Sequence, residues 1–166
     1  YDPNPVVMFE HKGLYWSKVP GTEGAKSPEP SKDYIIPLGK ARIHQEASEE
    51  ALENGESLTI ITYGMGVWWA TNASKSFPGQ VEIVDLRTLS PCDNDAIYAS
   101  VKRHGKVIVL TEETLNNSFA QAIKPVRWLL TRDKAKWYWR RSTSGLRVII
   151  FAPHNATNAD ALPCAD

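Results

Sequence analysis

Three places in this chain combine residue types and spacings that chemistry can use. The first is the run SLTIITYGMGVWWATNAS, residues 57–74, where an apolar, β-branched stretch halts at Gly64-Met65-Gly66 before a helix-like segment. Between strand and helix, such a turn lets backbone N–H groups approach a phosphate. The dinucleotide fingerprint needs a third glycine, and Trp69 stands in its place, where an indole blocks close helix–strand approach. The Gly-Lys-Ser/Thr of a phosphate loop never occurs. Gly64 and Gly66 are therefore expected to form a structural turn. The second place is Glu112-Glu113, directly after an apolar stretch. Carboxylates there act as general acids or bases when a His, a Lys or a metal ligand is at hand, and no such residue adjoins them. They also suit the positive end of a helix. The third is Asp85 with Arg87, whose i, i+2 spacing on a strand points both side chains the same way. A structural ion pair or a subunit contact is expected of Asp85 and Arg87, and likewise of Glu112.

The remaining reactive side chains form no constellation. Ser90 and Ser118 lack a readable His and acid partner. His11, His44, His104 and His154 are scattered, and an isolated histidine is more often a hydrogen-bonded structural residue than a base. Cys92 and Cys164 lack metal-like spacing and are expected to be free thiols in a reducing cytosol. No catalytic, cofactor-binding or metal-ligating residue is assigned to this chain.

The elements that must position these residues read clearly in the middle of the sequence. Residues 6–10 (VVMFE) predict a short buried strand. Residues 17–33, with three Pro and two Gly among charges, predict a surface loop. Residues 41–46 alternate like an edge strand. ASEEALENGES reads as a helical turn or a hairpin loop. Residues 58–63 form a continuous apolar strand of the kind covered on both faces. A helix over 67–77 and a strand over 81–86 follow. The helix NDAIYASVKRHG is capped by Ser90 or Asp93 and stops at Gly105. Residues 106–110 are a third strand, and NNSFAQAI starts another helix. Strand–helix–strand–helix–strand implies parallel pairing with right-handed crossovers. The expected fold is α/β: a three-layer α/β/α sandwich with a mostly parallel five-stranded sheet and one antiparallel edge strand. Ligands in such sheets gather beyond the carboxyl ends of the strands. Those ends are the glycine turn, residues 87–91 and Glu112-Glu113.

The 166 residues suit one domain with a core of its own. The formal net charge is zero, which gives no electrostatic case for nucleic acid or an anionic membrane. Residues 1–122 hold 11 Lys/Arg against 16 Asp/Glu, a net of −5, and residues 123–166 hold 8 against 3, a net of +5. No apolar run approaches 20 residues, so a soluble protein is expected. The chain opens at Tyr1 without an initiator Met, which predicts a piece of a longer polypeptide.

Four stretches occur in a telling order: PVVMFEHKGLYW (5–16), DYIIPLGKARIHQE (33–46), LTIITYGMGV (58–67) and VEIVDLRTLSPCDNDAIYASVKRHGKVIVLTEE (81–113). Over roughly residues 1–122 the chain resembles the C-terminal, transketolase-like domain of the beta subunit of thiamine-diphosphate-dependent 2-oxo acid dehydrogenases, of the pyruvate and branched-chain type. That resemblance implies a domain without an active site of its own. In the family, thiamine diphosphate and Mg²⁺ lie between a pyrimidine-binding and a diphosphate-binding domain, the latter often on an alpha subunit. This domain contacts partner subunits and helps present the assembly to the lipoyl acyltransferase core. A homo-oligomer in the cytoplasm, or in the mitochondrial matrix of a eukaryote, is implied, with no nucleic-acid or membrane partner. Outside the resemblance, a free-standing ligand- or nucleotide-binding module stays open, as does the equivalent domain of a transketolase or deoxyxylulose-phosphate synthase. The sequence departs from the family after residue 122. IKPVRWLLTRDKAKWYWRRSTSG brings three Trp and seven basic residues, and Pro125 is expected to break the preceding helix. LRVIIFAP predicts a replacement strand. An altered reading frame would produce so abrupt a change. A basic, aromatic patch for nucleic acid or an acidic partner is the rival reading, and a solvated face with buried rings is the expectation.

Overall fold

The structure, a computed structural model, describes residues 3–5, 7, 10–15, 19–113, 118–123, 136–141 and 147–152. A six-stranded sheet organises it, in the order β1-β3-β2-β4-β6-β5. The strands are β1 (Arg42–Gln45), β2 (Leu58–Thr62), β3 (Val81–Asp85), β4 (Val107–Thr111), β5 (Lys136–Arg141) and β6 (Arg147–Ala152). The three central strands are parallel: Leu58 pairs with Val81 through to Thr62 with Asp85, and Thr59 to Ile61 pair with Val107 to Val109. β1 runs antiparallel along β3, the expected edge strand. The expected count of five needs correction to six. The tail supplies two antiparallel strands, β6 beside β4 and β5 outside it, so the sheet is mixed around its parallel centre. Residues 147–152 are the strand read in LRVIIFAP. Pro125 lies outside the described residues.

Neighbouring apolar residues on the central strands point to opposite faces, which is why both faces carry helices. Ile61, Val84, Val107 and Val109 face α4 (Asn94–His104) and α5 (Phe119–Ala122), where Ile97, Val101, Ala120 and Ile123 complete one core. Ile60, Val81, Ile83 and Leu110 face α3 (Met65–Ser74), with Ala70 at the centre of the second. Asp93 caps α4 by accepting the Ala96 N–H at 3.2 Å, and Gly105 ends it in the left-handed conformation, φ +68°. ASEEALENGES resolves to α2 (Glu49–Glu53), capped by Ser48. α3 starts two residues before its expected position, because Gly64, at φ +57°, is its N-cap.

Of the strand expected over residues 6–10, the described members Val7 and Glu10 lie outside any strand, and Val7 is exposed; positions 6, 8 and 9 lie outside the described residues. Instead the first element is α1 (Lys12–Tyr15). Within 19–33 the chain makes a 3-10 turn at Glu23–Ala25, exposed but for buried Thr22 and half-buried Val19, Gly21 and Ala25. Among the described residues no helix is long and apolar enough to cross a membrane.

Candidate functional site

The carboxyl ends of β2, β3 and β4 form the one edge where the sequence places chemistry. At the end of β2 the Gly64 turn is sharp, and two of its donors are already used. Gly66 N–H bonds the Tyr63 carbonyl at 3.1 Å, and Val67 N–H bonds the Gly64 carbonyl at 3.3 Å. A phosphate cradle needs such N–H groups free. Gly66 has a packing reason of its own. A Cβ there would meet Thr62 Oγ1 far inside the 3.0 Å that real Cβ atoms respect. Trp69 packs half-buried on the α3 core, and Trp68 meets the His44 ring edge-on at 5.5 Å.

Beyond β4 the two glutamates turn to different tasks. Glu112 Oε2 lies 2.8 Å from His11 Nε2, an ion pair when the imidazole is protonated. Glu113 accepts the Phe119 N–H at 2.5 Å and so starts α5. The Tyr63 hydroxyl meets Thr111 Oγ1 at 3.0 Å. Burial, with both glutamates nearby, pushes its pKa up to about 12. The sign follows: the unfolded phenol ionises near pH 10, so Tyr63 contributes stability below that value and loses it as pH rises toward 12. A titration followed by phenolate absorbance should show one tyrosine ionising only on alkaline unfolding. Normal titration of every phenol would refute this.

At the end of β3, Asp85 Oδ2 is 4.0 Å from Arg87 Nε, and Asp85 Oδ1 accepts the Arg87 N–H at 3.2 Å. Arg87 is the single described non-glycine residue with positive φ, +56°. Its Nη2 donates to the Tyr34 hydroxyl at 3.3 Å. Burial raises the Asp85 pKa, against the pull of the Arg87 N–H and charge. Cys92 is a free thiol, raised by burial and by Asp93, which leaves it little thiolate. Cys164 and His154 lie outside the described residues.

Sequence reasoning missed the densest polar cluster, which lies near the opposite ends of the strands. His104 places Nδ1 2.8 Å from Ser57 Oγ and Nε2 3.2 Å from Glu82 Oε1, the latter too far off axis for a full hydrogen bond. The Ser100 hydroxyl bonds Glu82 Oε1 and lies 2.7 Å from Thr59 Oγ1. Arg103 spans Glu82 at 3.7 Å and Glu49 at 2.9 Å. Burial alone would raise the Glu82 pKa, but His104 and Ser100, aided by Arg103, bring it below the usual glutamate range. Serine, histidine and acid stand in line here as in a hydrolytic triad. Ser57, Glu82 and His104 are all buried, however, so no substrate reaches them. Its work is to fasten α4 to β2 and β3. The one available signal is Glu82, a charge between the apolar residues Val81 and Ile83.

Comparison with known proteins places this architecture. Residues 48–127 match the family model described as the transketolase C-terminal domain. The 2-oxoisovalerate dehydrogenase subunit beta of Bacillus subtilis is 33% identical over 128 residues, 75% of this chain and 35% of the relative. The pyruvate dehydrogenase E1 component subunit beta of Rhizobium meliloti is 34% identical over 116 residues, 67% of this chain and 22% of the relative. The acetoin:2,6-dichlorophenolindophenol oxidoreductase subunit beta of Cupriavidus necator is 36% identical over 114 residues, 67% of this chain and 29% of the relative. The chain thus spans about a third or less of the length of these curated relatives.

Proposed function

Through residues 48–127 the chain belongs to the transketolase C-terminal domain family, in the form carried by beta subunits of 2-oxo acid dehydrogenases, and from that premise we propose that it is a subunit-contact and assembly domain, not the seat of the chemistry. The assembled enzyme would decarboxylate a 2-oxo acid oxidatively and pass the acyl group to lipoamide. Thiamine diphosphate and Mg²⁺ would be held by the pyrimidine- and diphosphate-binding portions, in this polypeptide or in an alpha subunit. The lipoyl acyltransferase core and further copies of the chain would be the other partners, in the cytoplasm or the mitochondrial matrix.

The carrying observation is the state of the carboxyl edge. Two N–H groups of the glycine turn are spent on the turn itself, and Glu112 and Glu113 are engaged by His11 and the Phe119 N–H. These residues do not fit a diphosphate. Among the described residues no three His, Cys, Asp or Glu gather as a metal site. Asp85, Arg87 and Glu112 then serve as structural pairs or subunit contacts, and Gly64 and Gly66 as a turn.

Titration calorimetry of the 166-residue chain tests the reading. No heat of binding is expected with thiamine diphosphate and Mg²⁺, nor with NAD or ATP. Micromolar binding of the first would place the cofactor here. The same affinity for a nucleotide would make the chain a free-standing ligand-binding module.

A further inference from the structure

The strand order sets a topological switch point between β2 and β4, which are adjacent and parallel. The chain leaves β2 into α3, which packs on one face of the sheet. It leaves β4 toward α5, whose Ala120 joins the core on the other face. Between strands whose connections part in this way the carboxyl ends open a crevice, and ligands of such sheets bind there. Here the chain's own N-terminal segment stands at that crevice. His11 Nε2 lies 2.8 Å from Glu112 Oε2, just past β4. Gly13 lies against the first residue of α3, so close that a Cβ would stand 3.0 Å from Met65 Cε and 3.1 Å from the His11 ring. The His11 carbonyl accepts the Leu14 and Tyr15 N–H groups at 2.9 and 3.2 Å, which starts α1 at the same residue.

The segment is lightly held. α1 has four residues, none of them buried, and Lys12 and Tyr15 are exposed. His11 Nδ1 is buried and has no hydrogen-bond partner among the described residues. An unpaired buried ring nitrogen costs the closed form what the open form, with water at that atom, does not bear. The contact to Glu112, whose side chain is 45% exposed, has to offset that cost. We propose that residues 11–15 are a displaceable strap: His11 fills the switch-point crevice as a ligand supplied in cis, and its release uncovers Glu112 as the acceptor for an outside nitrogen cation. Glu113 is committed to the Phe119 N–H, which leaves Glu112 for this role. A carboxylate that already holds an imidazole suits a planar nitrogen cation, imidazolium or guanidinium, and repels a phosphate. The inference rests on the sheet topology and on His11, not on the subunit-contact reading.

Amide hydrogen exchange of the 166-residue chain, read by NMR, tests the strap. The Leu14 and Tyr15 amides should exchange at least about a hundredfold faster than those of β2 and β4, as a locally opening segment does. Glu112→Gln, at a half-exposed position, should speed them by about tenfold more and leave core exchange unchanged. Protection equal to that of the core, or no response to Glu112→Gln, would overturn the proposal. Chemical complementation tests the cation site, with imidazole as the probe. His11→Ala should bind imidazole with a dissociation constant of about 1 mM, the scale for so small a ligand. Two controls should bind at least about tenfold more weakly: the wild type, whose crevice is occupied, and His11→Ala combined with Glu112→Gln. No binding to His11→Ala, or an affinity unchanged in either control, would equally sink the idea. The thiamine diphosphate calorimetry above bears on the subunit-contact reading alone, so the two fail separately.

Discussion

Gly66→Ala is expected to lower the unfolding free energy by about 3 kcal/mol, combining overpacking with a lost buried hydrogen bond. The added methyl group collides with Thr62 Oγ1. Thr62 is buried, and its hydroxyl donates to the Leu110 carbonyl at 3.0 Å, tying β2 to β4. Rotating the hydroxyl away relieves the collision and strands that carbonyl without the bond. Gly64→Ala provides the contrast. Nothing lies within 4 Å of its Cβ position, so the cost is backbone strain alone, about 1–2 kcal/mol. Urea unfolding of both variants reads the difference. Thr62→Ala in the Gly66→Ala background should recover part of the loss. Equal midpoints for the two glycine variants would show that the turn, and not the Thr62 contact, fixes glycine at position 66.

Glu82→Ala should cost about 1–3 kcal/mol, the range for leaving a buried polar group without its partner. It takes the acceptor from Ser100 and the carboxylate from beside His104 Nε2, and leaves Arg103 without its inner carboxylate. Glu82→Gln keeps the shape and an acceptor, so it should cost less. The pH dependence follows from the direction of the shift. Folded Glu82 holds its proton less readily than the unfolded residue, so acid protonates the unfolded chain first. The stabilisation is present above the unfolded value, near pH 4.3, and is lost as pH falls through the lower folded value. Asp93 adds to the same trend: burial raises it, but the Ala41 and Ala96 N–H groups with Lys40 bring it below its usual range. Urea midpoints measured against pH should therefore fall in acid, and less steeply for Glu82→Gln. Parallel curves for variant and wild type would take this role away from the cluster.

The middle of the fold was legible because local signals there agree with the tertiary packing. Apolar runs became β2, β3 and β4, Asp93 and Gly105 bracket α4, and alternation marked β1. The failures have physical causes. Val7 and Glu10 sit in a run of strand-like composition but lie outside any strand, because propensity alone does not make one. The tail's second strand, β5, hides in a basic, Trp-rich run whose composition suggested a solvated face. The Ser57–His104–Glu82 cluster joins residues 47 and 22 positions apart through strand register, which no motif spacing encodes. The His11–Glu112 contact spans 101 positions for the same reason. At the carboxyl edge, composition showed which motifs were missing; that the turn's own carbonyls take its N–H groups is visible in three dimensions alone.

Asp93 divides its two oxygens between separate parts of the molecule. Oδ1 caps α4 through Ala96, and Oδ2 accepts the Ala41 N–H at 3.0 Å, just ahead of β1. Thr88 adds a second tie, its hydroxyl accepting the Gly39 N–H at 2.9 Å. Peeling β1 from the sheet therefore also breaks a bond to the residue that caps α4, a helix packed against the inner core. A border that would ordinarily fray by itself is linked to the cooperative unfolding of the interior.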